Sequence, residues 1–315
     1  MFEKVTFKEQ RRGGLGVIGY DKKKEDDSLK SVYVAGTHNY LLIFSNKGKC
    51  YWLKVWQVPE GSRRSKGRPL VNFIEGIDKD ERIATILPVT NFEDEEICIV
   101  LATKNGVVKK VDLQAFSNPR RKGIYAISID EDDALIDTHL VSKGKQVMLF
   151  TRNGMAIRFD EGNVRAMGRT ARGVKGISLR EDDYVVHSEV VSGDENILVV
   201  CDKGFGKRSL VEDFRQTNRG GVGVKSIVTN DRNGLVIGAL SVEDETSVIM
   251  MSQQGQSIRI RMDECRIMGR STQGVKLSNL KDNDRIIAIQ KVNEIDAEVD
   301  EATEAETAEA QTESE

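Results

Sequence analysis

Six short segments rich in arginine, lysine and glycine recur along the 315-residue chain at intervals of roughly fifty residues. We number them basic segments one to six: 10–16, 63–68, 120–124, 169–175, 217–223 and 270–276. Arginine and lysine bring charge and hydrogen bonds to phosphate oxygens, and a neighbouring glycine is expected to let the backbone approach a ligand closely. A repeat structure places equivalent residues at equivalent points. The six segments are therefore predicted to form a ring or stripe of positive charge that suits a long polyanion.

A second recurring pattern indicates the strands that carry these segments. Short apolar runs rich in Val and Ile end in a turn with glycine, and strand-like residues follow, at 40–49, 97–106, 147–154, 197–204 and 248–255. Glycine accepts positive φ, so the turns predict tight hairpins, and the runs predict buried strands. The alternation at 257–262 is expected to place Ile258 and Ile260 on one face and Arg259 and Arg261 on the other.

Acidic turns introduce a further strand in most units. They lie at 78–84, 130–136, 181–186 and 282–287, each before an apolar run. Short helical turns are expected at 112–116 and 211–214. Each unit then holds about four strands, and six such units predict an all-β, propeller-like disc.

Composition limits the remaining classes. No apolar run approaches the ~20 residues that cross a bilayer, no apolar signal region opens the chain, and the four scattered cysteines predict buried thiols in a reducing compartment. The segment 293–315 carries ten acidic residues and no Lys or Arg, which leaves 47 basic against 40 acidic residues in 1–292. We expect this tail to be disordered and to compete with a polyanion for the basic segments.

Three other chemistries fit poorly. The acidic turn 130–133 could hold magnesium, but its recurrence is better explained by structural turns. The G-x-G-x-x-G pattern at 14–19 lacks the preceding strand and following helix of a dinucleotide site. Zinc spacing and nucleophile–base pairs are absent from the sequence. Aromatic residues make up 6% of the chain, so base stacking on single strands is a poor fit, whereas contact with duplex backbones is a good one.

Basic segment one, Gln-Arg-Arg-Gly-Gly-Leu-Gly, resembles the box motif of the C-terminal domain of DNA gyrase A, part of a type IIA topoisomerase. The five relatives at blade spacing extend the resemblance over 5–292. It implies a six-bladed β-pinwheel that binds, bends and wraps double-stranded DNA without sequence specificity and supports ATP-dependent negative supercoiling. Leu15 departs from the family pattern, which has an arginine or a lysine at that position.

The resemblance also implies partners and an absence of catalysis in this chain. The partners would be double-stranded DNA, gyrase B and the cleavage domain of gyrase A, in the bacterial cytoplasm and without a membrane. The catalytic tyrosine would lie in the cleavage domain, and ATP and magnesium would enter only through the rest of the gyrase complex. We expect the domain alone to be monomeric, with no cofactor of its own.

Alternative interpretations remain at this point. Topoisomerase IV has an equivalent domain but tends to lack an intact box. A propeller used as a protein-interaction platform is the runner-up, although the chain has only two tryptophans, Trp52 and Trp56. Under the leading hypothesis, the residues expected to contact DNA are Gln10, Arg11, Arg12, Gly13, Gly14, Gly16, Arg63, Arg64, Lys66, Arg68, Arg120, Arg121, Lys122, Arg169, Arg172, Lys175, Arg219, Lys225, Arg270 and Lys276.

Overall fold

The structure, a computed structural model, describes residues 17–18, 33, 35–59, 68–281 and 283–292. These residues contain twenty strands and five short 3-10 turns. The strands are β1 Val17–Ile18, β2 Tyr40–Ser45, β3 Lys49–Lys54, β4 Ile83–Val89, β5 Ile97–Thr103, β6 Val107–Asp112, β7 Ile124–Tyr125, β8 Leu135–Ser142, β9 Gln146–Thr151, β10 Met155–Asp160, β11 Val174–Lys175, β12 Val185–Val191, β13 Asn196–Cys201, β14 Phe205–Leu210, β15 Val224–Lys225, β16 Val236–Val242, β17 Ser247–Ser252, β18 Gln256–Arg261, β19 Val275–Lys276 and β20 Ile286–Val292. The 3-10 turns are Val55–Gln57, Leu70–Asn72, Leu113–Phe116, Glu161–Asn163 and Val211–Asp213.

The strands form five antiparallel, four-stranded sheets, which we call blades A to E. Their strand orders are β4–β2–β3–β7, β8–β5–β6–β11, β12–β9–β10–β15, β16–β13–β14–β19 and β20–β17–β18–β1. The first strand in each order is the inner strand, and successive inner strands contact one another from β4 to β20. The described part of the chain is thus an all-β, propeller-like array.

The hairpins predicted from glycine turns are confirmed. In blade B, β5 is an apolar, β-branched run that buries its last five residues, and β6 returns along it in antiparallel register. Gly106 has φ +81, and its N–H donates to Thr103 O at 3.0 Å. A non-glycine residue would be strained in this turn, which is why the same Gly ends the turn in each repeat.

The outermost strand of each blade comes from the next repeat. The short β11, which ends basic segment four, pairs with β6 of blade B through Val174 and Val108. The first repeat likewise contributes β1 to blade E, where β1 pairs with β18, so that the first and last repeats meet there. Basic segments three to six are therefore each fixed between two blades.

The hydrophobic cores lie between adjacent blades. Between blades B and C, for example, Val100 and Val108 pack with Leu149, Ile157 and Phe159. Blades B, C and D are consequently covered on both faces by neighbouring blades. Arg259, on the strand face opposite Ile258 and Ile260, is buried as well, since only 9% of it is exposed.

The prediction of six blades requires a correction, because the described residues form five. Six basic segments do not need six described sheets, since blades A to D take their outer strands from the following repeat and β1 of the first repeat completes blade E. The remainder of the first repeat lies outside the described residues apart from 17–18, 33 and 35–39. The tail 293–315 also lies outside them. None of the helices in the described ranges is long enough to cross a membrane.

Candidate nucleic-acid interface

Basic segments four, five and six share one loop geometry. Each loop starts with a parallel bridge to the second strand of the preceding blade's hairpin: Ala166 to Lys110, Gln216 to Arg158, and Ile267 to Arg208. Each ends as the two-residue outer strand that pairs with the beginning of the same strand. The loop therefore arches over the third residue of that strand, and its basic side chains are held along the outer edge of the blades.

The glycine just before the outer strand serves packing against the neighbouring blade. Gly123, Gly173, Gly223 and Gly274 all have positive φ, between +69 and +93. A Cβ at Gly223 would lie 2.2 Å from Ala156 O, and one at Gly274 would lie 2.5 Å from Gly206 O. These glycines approach the backbone of the preceding blade, whereas their close approach to a ligand stays a prediction.

Hydrogen bonds join the regions of basic segments three to six into a belt, which we call the basic rim. The N–H of Ser178 donates to Gly221 O at 2.8 Å, and the N–H of Val228 donates to Thr272 O at 2.9 Å. Two arginines reinforce the belt, since Arg219 Nη1 donates to Lys175 O at 3.1 Å and Arg270 Nη1 donates to Lys225 O at 3.3 Å. The segments are consequently in fixed register along one edge of the array.

Most of the residues that were predicted to contact DNA and that the structure describes are exposed. The exposed ones are Arg68, Arg120, Arg121, Lys122, Arg172, Lys175, Lys225 and Lys276. Three others, Arg169, Arg219 and Arg270, are half-buried. Gln10, Arg11, Arg12, Gly13, Gly14, Gly16, Arg63, Arg64 and Lys66 lie outside the described residues.

Three exposed arginines of the rim were not predicted from the sequence. Arg165, Arg215 and Arg266 lie four residues before Arg169, Arg219 and Arg270 and are exposed in all three repeats. Their spacing of about fifty residues was a visible signal, but they lie outside the glycine-containing segments on which the prediction rested. At the position of Lys175, segment three instead carries Tyr125, which is 56% exposed.

Two buried lysines lie beneath the rim, at the third position of the arched-over strand. Lys109 and Lys207 are fully buried, and the Nζ of Lys207 donates to Gly269 O at 2.8 Å. Burial, aided by the charge of Arg169, lowers the pKa of Lys109 to about 8. Burial also lowers the pKa of Lys207 to about 7, with Asp213 opposing and Arg270 adding to this effect. Strand alternation gave no sign that these charges would be covered.

The same position in β10 is occupied by Ile157, and the loop above it covers a cavity of about 260 Å³. The cavity is lined by Ala156 and Ile157 below and by Arg215, Thr217, Asn218 and Val222 of the loop above. An apolar side chain thus lies beneath segment five, whereas a buried lysine amine lies beneath each of segments four and six.

A second titratable cluster lies on the inner strands, away from the rim. Asp137 Oδ2 is 3.2 Å from His139 Nε2 and 3.3 Å from His187 Nδ1. Burial would lower the pKa of His139, but the Asp137 carboxylate overrides it and raises the pKa to about 9. Across the described residues, no group of three or more His, Cys, Asp or Glu side chains could hold a metal ion.

Comparison with known proteins adds the family. The sequence profile described as "DNA gyrase C-terminal domain, beta-propeller" matches 2–35, 39–90, 99–142, 145–192, 195–243 and 246–293. DNA gyrase A of Chlamydia pneumoniae is 58% identical over 298 residues, which are 93% of this chain and 36% of that protein. DNA gyrase A of Klebsiella oxytoca is 41% identical over 288 residues, 91% of this chain and 32% of that protein. The chain therefore spans about a third of the length of these relatives.

Solved structures agree on the fold. A DNA gyrase A C-terminal domain superposes with a TM-score of 0.79 at 24% identity, over 91% of this chain and 93% of that one. The C-terminal domain of a DNA topoisomerase IV gives 0.73 at 30% identity, over 82% and 80%. The blades and the repeat pattern define a β-propeller of the type II topoisomerase C-terminal class. Within that class, the chain belongs to the DNA gyrase C-terminal domain family.

Proposed function

We propose that this domain binds, bends and wraps double-stranded DNA around the basic rim, without sequence specificity. The observation that carries the proposal is the hydrogen-bonded register of the basic segments. Charges fixed at regular positions along a curved edge favour a bent duplex over a straight one, because only a bent backbone meets all of them. Bending 20–30 bp through 40–90° costs on the order of 1–6 kcal/mol, and the additional phosphate contacts would offset that cost.

In the whole protein this activity would support ATP-dependent negative supercoiling by DNA gyrase in the bacterial cytoplasm. The domain would act with gyrase B and the cleavage domain of gyrase A, which would supply the catalytic tyrosine, the ATP site and magnesium. It would perform no catalysis itself and would be monomeric when isolated. The gyrase assignment is preferred over topoisomerase IV because the matching family profile is that of the DNA gyrase C-terminal domain and a gyrase A relative reaches 58% identity over 93% of the chain.

We further propose that the segment 2–35 contributes a sixth unit between blades A and E. The family profile divides the chain into six segments, of which 2–35 is the first. Strand β1 already pairs with blade E. The two inner strands that flank the gap, β4 and β20, each bury one residue of seven, whereas β16 buries five. Deleting 1–36 should lower the melting temperature and expose β4 and β20 to hydrogen exchange, and unchanged protection of both strands would contradict the sixth unit.

The direct test of DNA wrapping combines an electrophoretic shift with ligase-mediated circularisation of duplexes of about 150–250 bp, near one to two persistence lengths. A wrapping domain should raise the circularisation yield of the shortest duplexes and should bind different sequences with similar affinity. Binding without any increase in circularisation would leave a DNA-binding domain that does not bend its ligand. Absence of binding at low salt would contradict the function altogether.

A further inference from the structure

Lys109 is a buried cation whose hydrogen-bond partners are all backbone carbonyls. Its Nζ donates to Ala126 O at 2.8 Å and to Ala171 O at 3.0 Å, and also to Arg169 O. Three acceptors require three N–H groups, and a neutral amine offers only two. The geometry therefore calls for the charged ammonium, and no carboxylate within the described ranges forms an ion pair with it.

The direction of these carbonyls fixes the direction of the amides behind them. The described residues contain no cis peptide bond, and in a trans peptide the C=O and N–H point in opposite directions. Because the carbonyls of Arg169 and Ala171 point inward at the ammonium, the N–H groups of Thr170 and Arg172 point outward from the core. Both residues are exposed or half-buried at the surface, and within the described part of the chain neither N–H has a hydrogen-bond acceptor.

We propose that the backbone N–H groups of Thr170 and Arg172, with the guanidinium groups of Arg169 and Arg172, form a phosphate-binding cradle that Lys109 holds in place from beneath. The proposal rests on the proposed DNA function and specifies where one phosphate of the duplex binds. Backbone amides that point outward from one turn make anion sites, and the buried charge below them adds to the attraction. Lys109 is a positioning residue here, because its fully buried side chain acts through the loop.

The neighbouring segments lack this arrangement, which makes segment four distinct. In segment five the equivalent of Thr170 is Gly220, whose N–H already donates to Gly176 O at 2.6 Å. Ile157 lies beneath this loop, and its side chain has no hydrogen-bond donor that could orient the loop carbonyls. In segment six, the Nζ of Lys207 donates to one loop carbonyl, that of Gly269. The phosphate would at the same time displace Asp130 from its ion pair with Arg172.

The charge state of Lys109 adds a pH dependence that follows from the geometry. Burial lowers its pKa to about 8, and Arg169 is the charged neighbour that acts in the same direction. Above that pH the amine keeps two N–H groups for three carbonyls, so the loop loses one restraint and the rim loses one charge. A bound phosphate favours the charged form, so binding at segment four should take up a proton at a pH just above this pKa.

The test is an NMR titration of the full chain, labelled with ¹⁵N, with a short duplex at low salt and neutral pH. We expect the amide resonances of Thr170 and Arg172 to shift downfield as the duplex is added. Lys109→Ile should abolish these two shifts and weaken the duplex several-fold, whereas the matched variant Lys207→Ile should leave the two shifts in place. Isoleucine occupies the equivalent position in blades C and E, so the fold already accommodates it.

The outcomes separate the cradle from the general function. If the duplex shifts amides elsewhere on the rim but leaves Thr170 and Arg172 unmoved, the cradle is wrong and the DNA function stands. If no rim amide moves and no affinity is measured, the DNA function itself fails. If Lys109→Ile does not fold, the wild-type titration still shows whether Thr170 and Arg172 bind phosphate. Proton uptake, measured calorimetrically in mildly alkaline buffers of different ionisation enthalpy, provides a second readout. Uptake of no protons by the wild-type chain would contradict the role of Lys109.

Discussion

The exposed lysines at the second position of the outer strands give a quantitative prediction. Lys175, Lys225 and Lys276 occupy equivalent sites on β11, β15 and β19 and are all exposed. The triple change to Gln removes three charges without disturbing a buried contact. Each phosphate contact contributes about −0.9 to the slope of log K against log salt, so the slope should become shallower by about 2.7.

That change in slope fixes the loss of affinity. If the two binding curves converge toward about 1 M salt, the triple variant should bind duplex DNA about 500-fold more weakly at about 0.1 M salt. The steepest salt dependence would arise if the whole rim contacted DNA. Roughly ten exposed basic side chains near segments three to six would then give a slope of log K against log salt of about −9. Fluorescence anisotropy with a labelled duplex over a series of salt concentrations measures both quantities.

A matched control decides whether the rim is responsible. Lys104, Lys143 and Lys203 are lysines of the turns at the strand ends, outside the basic segments. Changing these three to Gln alters the net charge equally and should leave the slope nearly unchanged. Equal changes of slope in the two triple variants would refute the reasoning, because they would indicate a general charge effect. An unchanged slope in the rim variant would also refute it.

Three further predictions concern the fold and the chain termini. Gly223→Ala should destabilise the domain by on the order of 1–3 kcal/mol in urea unfolding, because φ is +78 and the Cβ would lie 2.2 Å from Ala156 O. The control Gly221→Ala should have little effect, since its Cβ would lie 3.7 Å from Ile157 Cδ1. Equal losses of stability in the two variants would contradict the close packing of Gly223. The pKa of His139 is raised to about 9, so its contribution to stability is fully present below about pH 6.5 and is lost as the pH rises through about 9. His139→Gln should remove that part of the pH dependence of the melting temperature. An identical pH profile in the variant would argue against the contact with Asp137. Truncation after Val292 removes ten acidic residues and should tighten duplex binding at low salt, with a difference in affinity that shrinks as salt screens the charges. Equal affinities of the full and truncated chains at low salt would show that the tail does not compete with DNA.

Much of the architecture could be predicted from the sequence because the repeat makes local signals reinforce one another. The apolar runs before Gly48, Gly106 and Gly154 became first strands of hairpins, and the turns at Leu113–Phe116 and Val211–Asp213 formed where they were expected. The exchange of outer strands could not be predicted, since pairing of Val174 with Val108 depends on contacts far apart in sequence.

The site was predictable in its charge but not in its construction. Exposed residues such as Lys175 and Lys225 follow from the repeated segments. The buried positions of Lys109 and Lys207 do not, because alternation within a strand assumes that one face meets water, whereas here the next blade covers that face. The close contact of Gly223 with Ala156 could not be predicted either, because only the folded chain shows it.

The central claim, that DNA is wrapped and not merely bound, is tested most directly by the linking number of a closed circular plasmid. The plasmid is relaxed by a nicking–closing enzyme in the presence of the chain, and the topoisomers are then separated. The account predicts a shift of linking number that grows with protein concentration. It also predicts that Arg11→Ala with Arg12→Ala, in the box-like segment one, reduces this shift sharply while duplex affinity falls only modestly, and that Leu15→Arg increases it. A plasmid saturated with protein whose linking number does not change would contradict the claim.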